Sequence, residues 1–450
     1  MLILHCKNFL RSRLALVGLA VVLGAGIISI FIGREHLRKR QDDAARAARI
    51  QREHIARNVK VVEGEMGLLL YYLRFGVVNQ THPLNALSIG QRDVNPSIQR
   101  VTIRNLENQK YDTDLFNPAS LLAGNLDLGF VLIYLFPLLI IAFTYNVLSE
   151  EKEGGTWKLI LAQSNGAGRL LVQKFAVRAA VVFAALAGLL VLAAGLLALP
   201  LDAGLLAVVF LSVGYVLCWF ALCFWVVSWQ QPSSTNAVGL LGSWLLLTVV
   251  VPGVVNSYLA HAYPVPEALA TAVRQREAYH EKWDTDKRTT VAGFYAHYPQ
   301  FRKYPLPDKP FSWLWYYAMQ QMGDDEARRE AAALRAKLWQ REKASQFIAC
   351  FIPTLHAQHQ LNTLAGAGLA NHLRFLDHTT RFHEQLRLHF YPKIFEEAPV
   401  AGENWEAFRV AFFSEDSTVH WAPLLLPLVS LTGLFAGLGL LNLRKLRPAD

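Results

Sequence analysis

The 450 residues are 53% hydrophobic and 18% charged, with a formal net charge of +9. Such a chain is too apolar for an ordinary soluble domain and too charged for one made only of membrane helices. Its 25 Phe, 15 Tyr and 11 Trp exclude disorder, and only four Cys exclude a disulfide scaffold.

Crossing a bilayer core of about 30 Å takes roughly 20 apolar residues in a helix. Six stretches meet that length: Leu14–Gly33, Leu126–Leu148, Phe175–Leu199, Leu205–Trp229, Ala237–Tyr258 and Trp421–Leu443. Their only formal charges are Asp127 and Arg178, each within a turn of a segment end, where it can reach the interface. Trp229 and Trp421 stand at segment edges, as interfacial Trp does. The first run is longer than a signal-peptide core and is followed directly by Arg34, Arg38, Lys39 and Arg40, so it is expected to stay in the protein. The expected fold class is an all-α polytopic membrane protein with six transmembrane helices and two large, mainly helical insertions.

The first insertion, 34–125, opens with a helix expected over about 35–75 that continues the first span outward. Ala44, Ala48, Ile55, Val59, Val62, Met66 and Leu69 form a narrow apolar seam there, suited to helix packing. Ser97–Arg104 alternates like a strand, and Asn95-Pro96 and Asn117-Pro118 mark turns. In the second insertion, 259–420, Pro266–Asp284 reads as a helix with Pro at its start, and Tyr298–Pro310, with four prolines, as a loop. Asp324–Phe351 reads as a charged helix, and Pro353–Phe395 as one or two helices broken near Gly366 and Gly368.

Six spans place both termini on one side. The N-terminal tail (Lys7, Arg11, Arg13), the 149–174 loop (Lys152, Lys158, Arg169, Lys174) and the C-terminal tail (Arg444, Lys445, Arg447) hold the short-loop positive charge, and Pro200–Gly204 holds none. The positive-inside rule therefore makes the termini cytoplasmic and the insertions extracytoplasmic. The basic stretch 34–60 opposes this assignment, but it belongs to a long loop, and long loops cross largely regardless of charge. The net positive charge thus suits a membrane surface, and no nucleic-acid partner is expected.

No phosphate loop of the form G-x-x-x-x-G-K-[ST] occurs, nor G-x-S-x-G or H-E-x-x-H, so no catalytic residue is assigned. No acidic residue or His lies deep in a span, which argues against a proton relay. Energy for any movement must then come from another chain, which directs attention to the 149–174 loop. There Glu150, Glu151 and Glu153 lead to Gly154 and Gly155. Thr156 follows as an N-cap, then a short apolar helix with Trp157, Leu159 and Ile160.

This run, with Gln163, Arg169 and Lys174, resembles the "E-x-E-x-G-T" loop signature of ABC-2 type transporter permeases. Trp157 departs from the smaller or aliphatic residue usual at that place. The resemblance implies that Glu150, Glu151, Glu153, Gly154, Gly155, Thr156, Trp157 and Leu159 form a coupling helix docking on a separate ATPase dimer. That partner would use ATP and Mg, and this chain would bind no cofactor. It also implies a cytoplasmic elbow helix including Lys7, Phe9, Arg11 and Arg13, and pairing with a second permease copy or paralogue in the bacterial inner membrane. Two large insertions resemble a subgroup of that family with big periplasmic loops, which would offer a surface for a periplasmic partner. The function implied is ATP-driven movement, in the export direction, of a hydrophobic or amphipathic substrate. Two alternatives stand beside it: mechanotransmission, in which hydrolysis drives periplasmic work without cargo, and a membrane-anchored sensor or scaffold.

Thirteen of the 14 His fall in the two insertions. His356 and His359 share a helix face at i, i+3, but 372, 378, 383 and 389 do not align, and Cys350 is the only thiol there. Ordinary surface or interfacial His is the expectation rather than a metal site. With Cys6 in the tail and Cys218 and Cys223 in the fourth span, no intrachain disulfide is expected.

Overall fold

The computed structural model describes residues 9, 11–110, 125–155, 167–265, 267–415 and 418–444. The chain is mostly helical, and six helices are long and apolar enough to cross a membrane. In chain order the elements are α1 (Arg13–Val61), α2 (Met66–Tyr72), β1 (Phe75–Asn79) and β2 (Ile98–Val101). The spans α3 (Leu128–Glu153), α4 (Ala167–Leu196), α5 (Ala203–Val227) and α6 (Ser233–Ala262) follow. Next come α7 (Glu267–Asp284), α8 (Lys287–His297), α9 (Trp313–Ala349), α10 (Pro353–Leu364), α11 (Leu369–Phe395), β3 (Ala411–Phe413) and α12 (Trp421–Arg444).

Local chemistry starts the helices where they start. Ser12, Asp202, Asp286 and Ser312 each accept a hydrogen bond from the third backbone N–H beyond them, capping α1, α5, α8 and α9. Asp127 caps α3 at Phe130 N (2.7 Å), and its second oxygen accepts from Ile89 N (2.8 Å). One carboxylate thus ties a membrane helix to the first insertion. The helices α3 and α6 each widen into a π-turn, at Val131–Leu135 and Leu246–Val250, just before Pro137 and Pro252. Proline has no N–H and crowds the carbonyl four residues back. Tyr215 donates to the carbonyl so freed at Ile133 (2.9 Å), Trp244 to Tyr134 O (3.1 Å) and Thr354 to Leu247 O (2.5 Å). An apolar surround makes such rescue necessary.

Within the bundle α3 and α5 are central, with 67% of each span window buried, while α6 has 11% and α12 has 17%. The outer helices therefore turn Leu, Val and Ile faces away from the protein.

The two insertions are not separate domains. β1 pairs antiparallel with β2 from the first insertion and parallel with β3 from the second, giving sheet order β2-β1-β3. The fold class expected was all-α, so this sheet is a correction, although β2 lies within the stretch Ser97–Arg104 expected to be a strand. Both insertions also share one apolar core: Ile55, Met66, Leu69 and Phe75 pack with Phe294, Tyr317, Phe390 and Tyr391. Buried polar groups fasten the same seam. The Arg387 guanidinium donates to Asp324 (2.7 Å), to Ile103 O (3.2 Å) and to Arg104 O (2.6 Å). Asp324 in turn accepts from Leu106 N and Glu107 N. Arg92, buried, donates to Gly366 O and to both oxygens of Asn79. Burial and the nearby Arg40 push its pKa down to about 10, which leaves it charged at neutral pH.

The resulting cap sits at one end of the bundle. Leu84 packs beside Gly204 in the first turn of α5, and His36 near the base of the cap lies 3.1 Å from Asn85 Oδ1. At this junction Gly33 of α1 passes so close to Ala86 that a Cβ would lie 1.9 Å from its carbonyl oxygen.

Other elements differ from the sequence expectation in extent. The helix expected over 35–75 stops at Val61, and α2 follows after a break containing Gly64. Gly67 lies under the Trp313 ring, which fixes the new direction. The helix expected from Asp324 starts at Trp313, because Ser312 caps it and the aromatic run faces the core. The expected break near Gly366 and Gly368 is present, and Gly366 adopts φ +60° there.

Candidate functional site

At the end of the bundle away from the cap, α3 finishes in Ser149–Glu153. Three of its four charged side chains reach neighbouring elements. Glu151 pairs with Lys174 of α4 at 2.5 Å, and Lys152 donates to Gln230 Oε1 at 2.5 Å. Glu153 accepts from Ser233 N (2.7 Å) and Ser233 Oγ (2.9 Å), while Ser149 and Ser233 hydroxyls lie 2.7 Å apart. A carboxylate on the first amides of α6 meets the positive end of that helix. Glu150 remains within its own turn, where Asn146 approaches it at 3.5 Å. Gly154 closes the helix and Gly155 turns the chain out at φ +73°, with nothing within 4 Å of a Cβ. The left-handed conformation favours glycine there.

Five of the expected coupling residues, Glu150, Glu151, Glu153, Gly154 and Gly155, therefore form one acidic turn anchored to α4 and α6. Thr156, Trp157 and Leu159 lie outside the described residues. Sequence reasoning missed the receiving side, Gln230 and Ser233. The signal was present in Gln231-Pro232-Ser233-Ser234, a turn leading into a helix, and Gln230 itself adopts φ +62°.

Of the expected elbow residues, Lys7 lies outside the described residues. Phe9 packs edge-on against Phe143 of α3, ring centroids 4.7 Å apart, and the Arg178 guanidinium lies 5.6 Å from the Phe9 ring centre. Arg11 is exposed, and Arg13 is the first residue of α1 itself, because Ser12 caps the helix just ahead of it. Arg13 therefore belongs to the span helix rather than to a separate elbow.

A second junction joins bundle and cap through α10. His356 Nε2 lies 2.9 Å from Leu424 O of α12, and Thr354 holds the α6 π-turn. On the cap side Ser88 donates to Asn362 (2.8 Å), and His359 Nε2 approaches Glu342 Oε1 of α9 at 3.2 Å. His356 and His359 thus share a helix but serve different neighbours. Among the described residues no group of three or more His, Cys, Asp or Glu is placed to hold a metal ion.

The His359–Glu342 contact carries a pH dependence. Burial opposes charge on His359, but the Glu342 carboxylate outweighs it and raises the imidazole above its ordinary 6.5. Burial likewise opposes charge on Glu342, and His359 holds it below 4.5. The histidine contribution is complete below pH 6.5 and is lost as pH rises through the raised value. The carboxylate contribution is complete above pH 4.5 and is lost as pH falls through the lowered one. Thermal unfolding of the full chain should thus lose about 1 kcal/mol on going from pH 6.5 to alkaline pH. His359→Gln should flatten that loss, and an unchanged pH profile in the variant would remove the assignment.

Comparison with known proteins adds one finding. Residues 269–412 match the family described as Domain of unknown function (DUF3526). The match runs from α7 to β3, within the second insertion, and includes none of the six spans. No curated protein and no solved structure matches the chain.

Proposed function

We propose that this chain is the membrane-spanning subunit of an ABC-2 type transporter, driven by a separate ATPase dimer. The observation that carries the reading is the acidic turn Ser149–Gly155. It lies opposite the cap and is anchored to α4 by Glu151 and to α6 by Glu153, so force applied to it reaches three membrane helices together. On this reading both termini and the turn face the cytoplasm of a bacterium, and the cap stands outside the inner membrane. A second copy or paralogue completes the pathway against the outward apolar faces, and a hydrophobic or amphipathic substrate is exported. The chain itself performs no catalysis and binds no cofactor. ATP and Mg belong to the partner.

The test is co-expression with a candidate ATPase subunit, followed by recovery in mild detergent. Glu153→Ala and Gly155→Val should each lower ATPase recruitment or stimulated turnover by about tenfold, the effect of losing one charge-assisted contact or a required backbone conformation. Wild-type recruitment and turnover in both variants would overturn the coupling role.

One observation favours a second reading, mechanotransmission without cargo. α1 runs unbroken for 49 residues from the loop end into the cap. At 1.5 Å per residue it is a rod of about 70 Å. ATP-dependent flux in proteoliposomes supports export, and hydrolysis with no flux of any apolar probe supports the lever.

A further inference from the structure

We propose that the cleft between α1 and the β1–β2 face of the cap is a binding site for a small soluble organic anion, a carboxylate or phosphate on a short apolar stem. The cleft has a volume of about 330 Å³. Three arginines from three different elements line it: Arg57 from α1, Arg74 from the approach to β1, and Arg100 from β2. Gly76 stands opposite Arg100 in the β1–β2 register, and Arg74 precedes Gly76 by two residues, so both arginines belong to the sheet face turned to α1. No Asp or Glu lines the cleft, and none of the three arginines has an ion pair among the described residues.

The larger cleft between α9 and α11 differs. Its Arg328, Arg335 and Arg387 each sit on a carboxylate, and Glu107 and Glu384 also line it, so only Arg381 among its arginines has no ion pair among the described residues. Three guanidinium groups around one hollow repel one another, and an anion entering it converts that repulsion into charge-assisted hydrogen bonds.

The rest of the cleft is built to stay open. Gln51, buried, accepts from Gly76 N (2.5 Å) and donates to Phe408 O (3.0 Å), which holds α1 and the sheet at a fixed separation. A larger side chain at 76 would crowd Gln51, since a Cβ there already lies 3.1 Å from its oxygen. His54 is fixed between Asn58 (3.1 Å) and Tyr72 O (3.2 Å), with Nε2–H donating to the carbonyl and Nδ1 accepting from the amide. Ile50 and Ile98 supply an apolar wall.

Size and place narrow the ligand. The volume lies at the lower end of small-molecule sites, about 300–1,000 Å³, too small for a polymer. His54 is about 30 Å along α1 from Gly33, where the first expected span ends, out of reach of the headgroups of the bilayer that the chain crosses. A soluble anion therefore fits better than a lipid. The inference does not rest on the transport reading, since binding can be measured without flux.

The experiment is calorimetry on the detergent-solubilised full chain with phenyl phosphate, phenylacetate and neutral benzyl alcohol. Saturable binding of at least one anion is expected, weakening with added salt, with no binding of the alcohol. Arg74→Gln and Arg100→Gln should each weaken it by about tenfold, the scale of a lost charge-assisted hydrogen bond. Arg57→Gln reports from the opposite wall if either variant fails to fold. Arg52→Gln, which lines a different hollow, should bind as the wild type does. No saturable binding of either anion overturns the proposal, as does equal affinity in the double variant Arg74→Gln/Arg100→Gln. Binding to phosphatidylglycerol vesicles without binding of the soluble anions also overturns it.

Discussion

Replacing Arg387 by leucine is expected to lower the unfolding temperature of the cap by roughly 10 °C in the full chain. The guanidinium is 3% exposed and joins four groups from both insertions: Asp324, Gln321 and the carbonyls of Ile103 and Arg104. Leucine fills much of the space but donates nothing. Ile103 O then loses its side-chain donor, Arg104 O is left with His383 alone, and Asp324 has only backbone amides against it. Removing one partner of a buried pair costs about 3–5 kcal/mol, and each kcal/mol moves the midpoint of a domain this size by about 2–4 °C. Tryptophan fluorescence reads the transition, because Trp283, Trp313, Trp315 and Trp405 all lie in the cap. The double variant Asp324→Leu/Arg387→Leu should recover part of the loss, since removing both charges is far less costly than removing one. A transition unmoved by Arg387→Leu would show that this cluster does not hold the insertions together.

Gly33→Ala is expected to have the second largest effect. The added methyl would meet the Ala86 carbonyl, which is backbone and cannot swing aside as a side chain would. Either α1 moves outward or the Pro83–Ala86 turn does, and both movements break the contact of His36 with Asn85. Overpacking costs about 1–3 kcal/mol when side chains can yield, and a backbone clash belongs at or above the top of that range. Gly24→Ala is the matched control on the same helix, because nothing lies within 4 Å of its Cβ position. Equal unfolding temperatures for the two variants would mean that the close passage at Gly33 carries no strain.

The bundle was legible in the sequence because its signal is local. A run of some 20 apolar residues with no charge has few other uses, and the six helices coincide with the six runs to within several residues at most ends. The glycine break after α10 was equally plain, since a left-handed residue at 366 leaves a local mark. The cap was legible only in pieces. β1 is buried at all five residues, so Phe75–Asn79 lacks the alternation that marks a half-exposed strand. β3 spans three residues, too few for any periodicity, and its partner lies more than 300 residues away in the chain. Pairings of that separation leave no trace in spacing. The acidic turn at 149–155 divided in the same way. Its acidic residues and glycines stood out, while the meeting of Glu153 with Ser233 depended on how two distant loops converge.

The sheet also sets an order of events during synthesis. β1 and β2 emerge early, but the third strand arrives only after roughly 300 more residues, which at 5–20 residues per second is about 15–60 s of translation. For that interval one edge of β1 and the apolar surface around Leu69 and Phe75 stand uncovered. A nascent chain stalled between the fifth and sixth spans would therefore be an aggregation hazard, and a holdase able to shield an open strand edge would matter most at that moment.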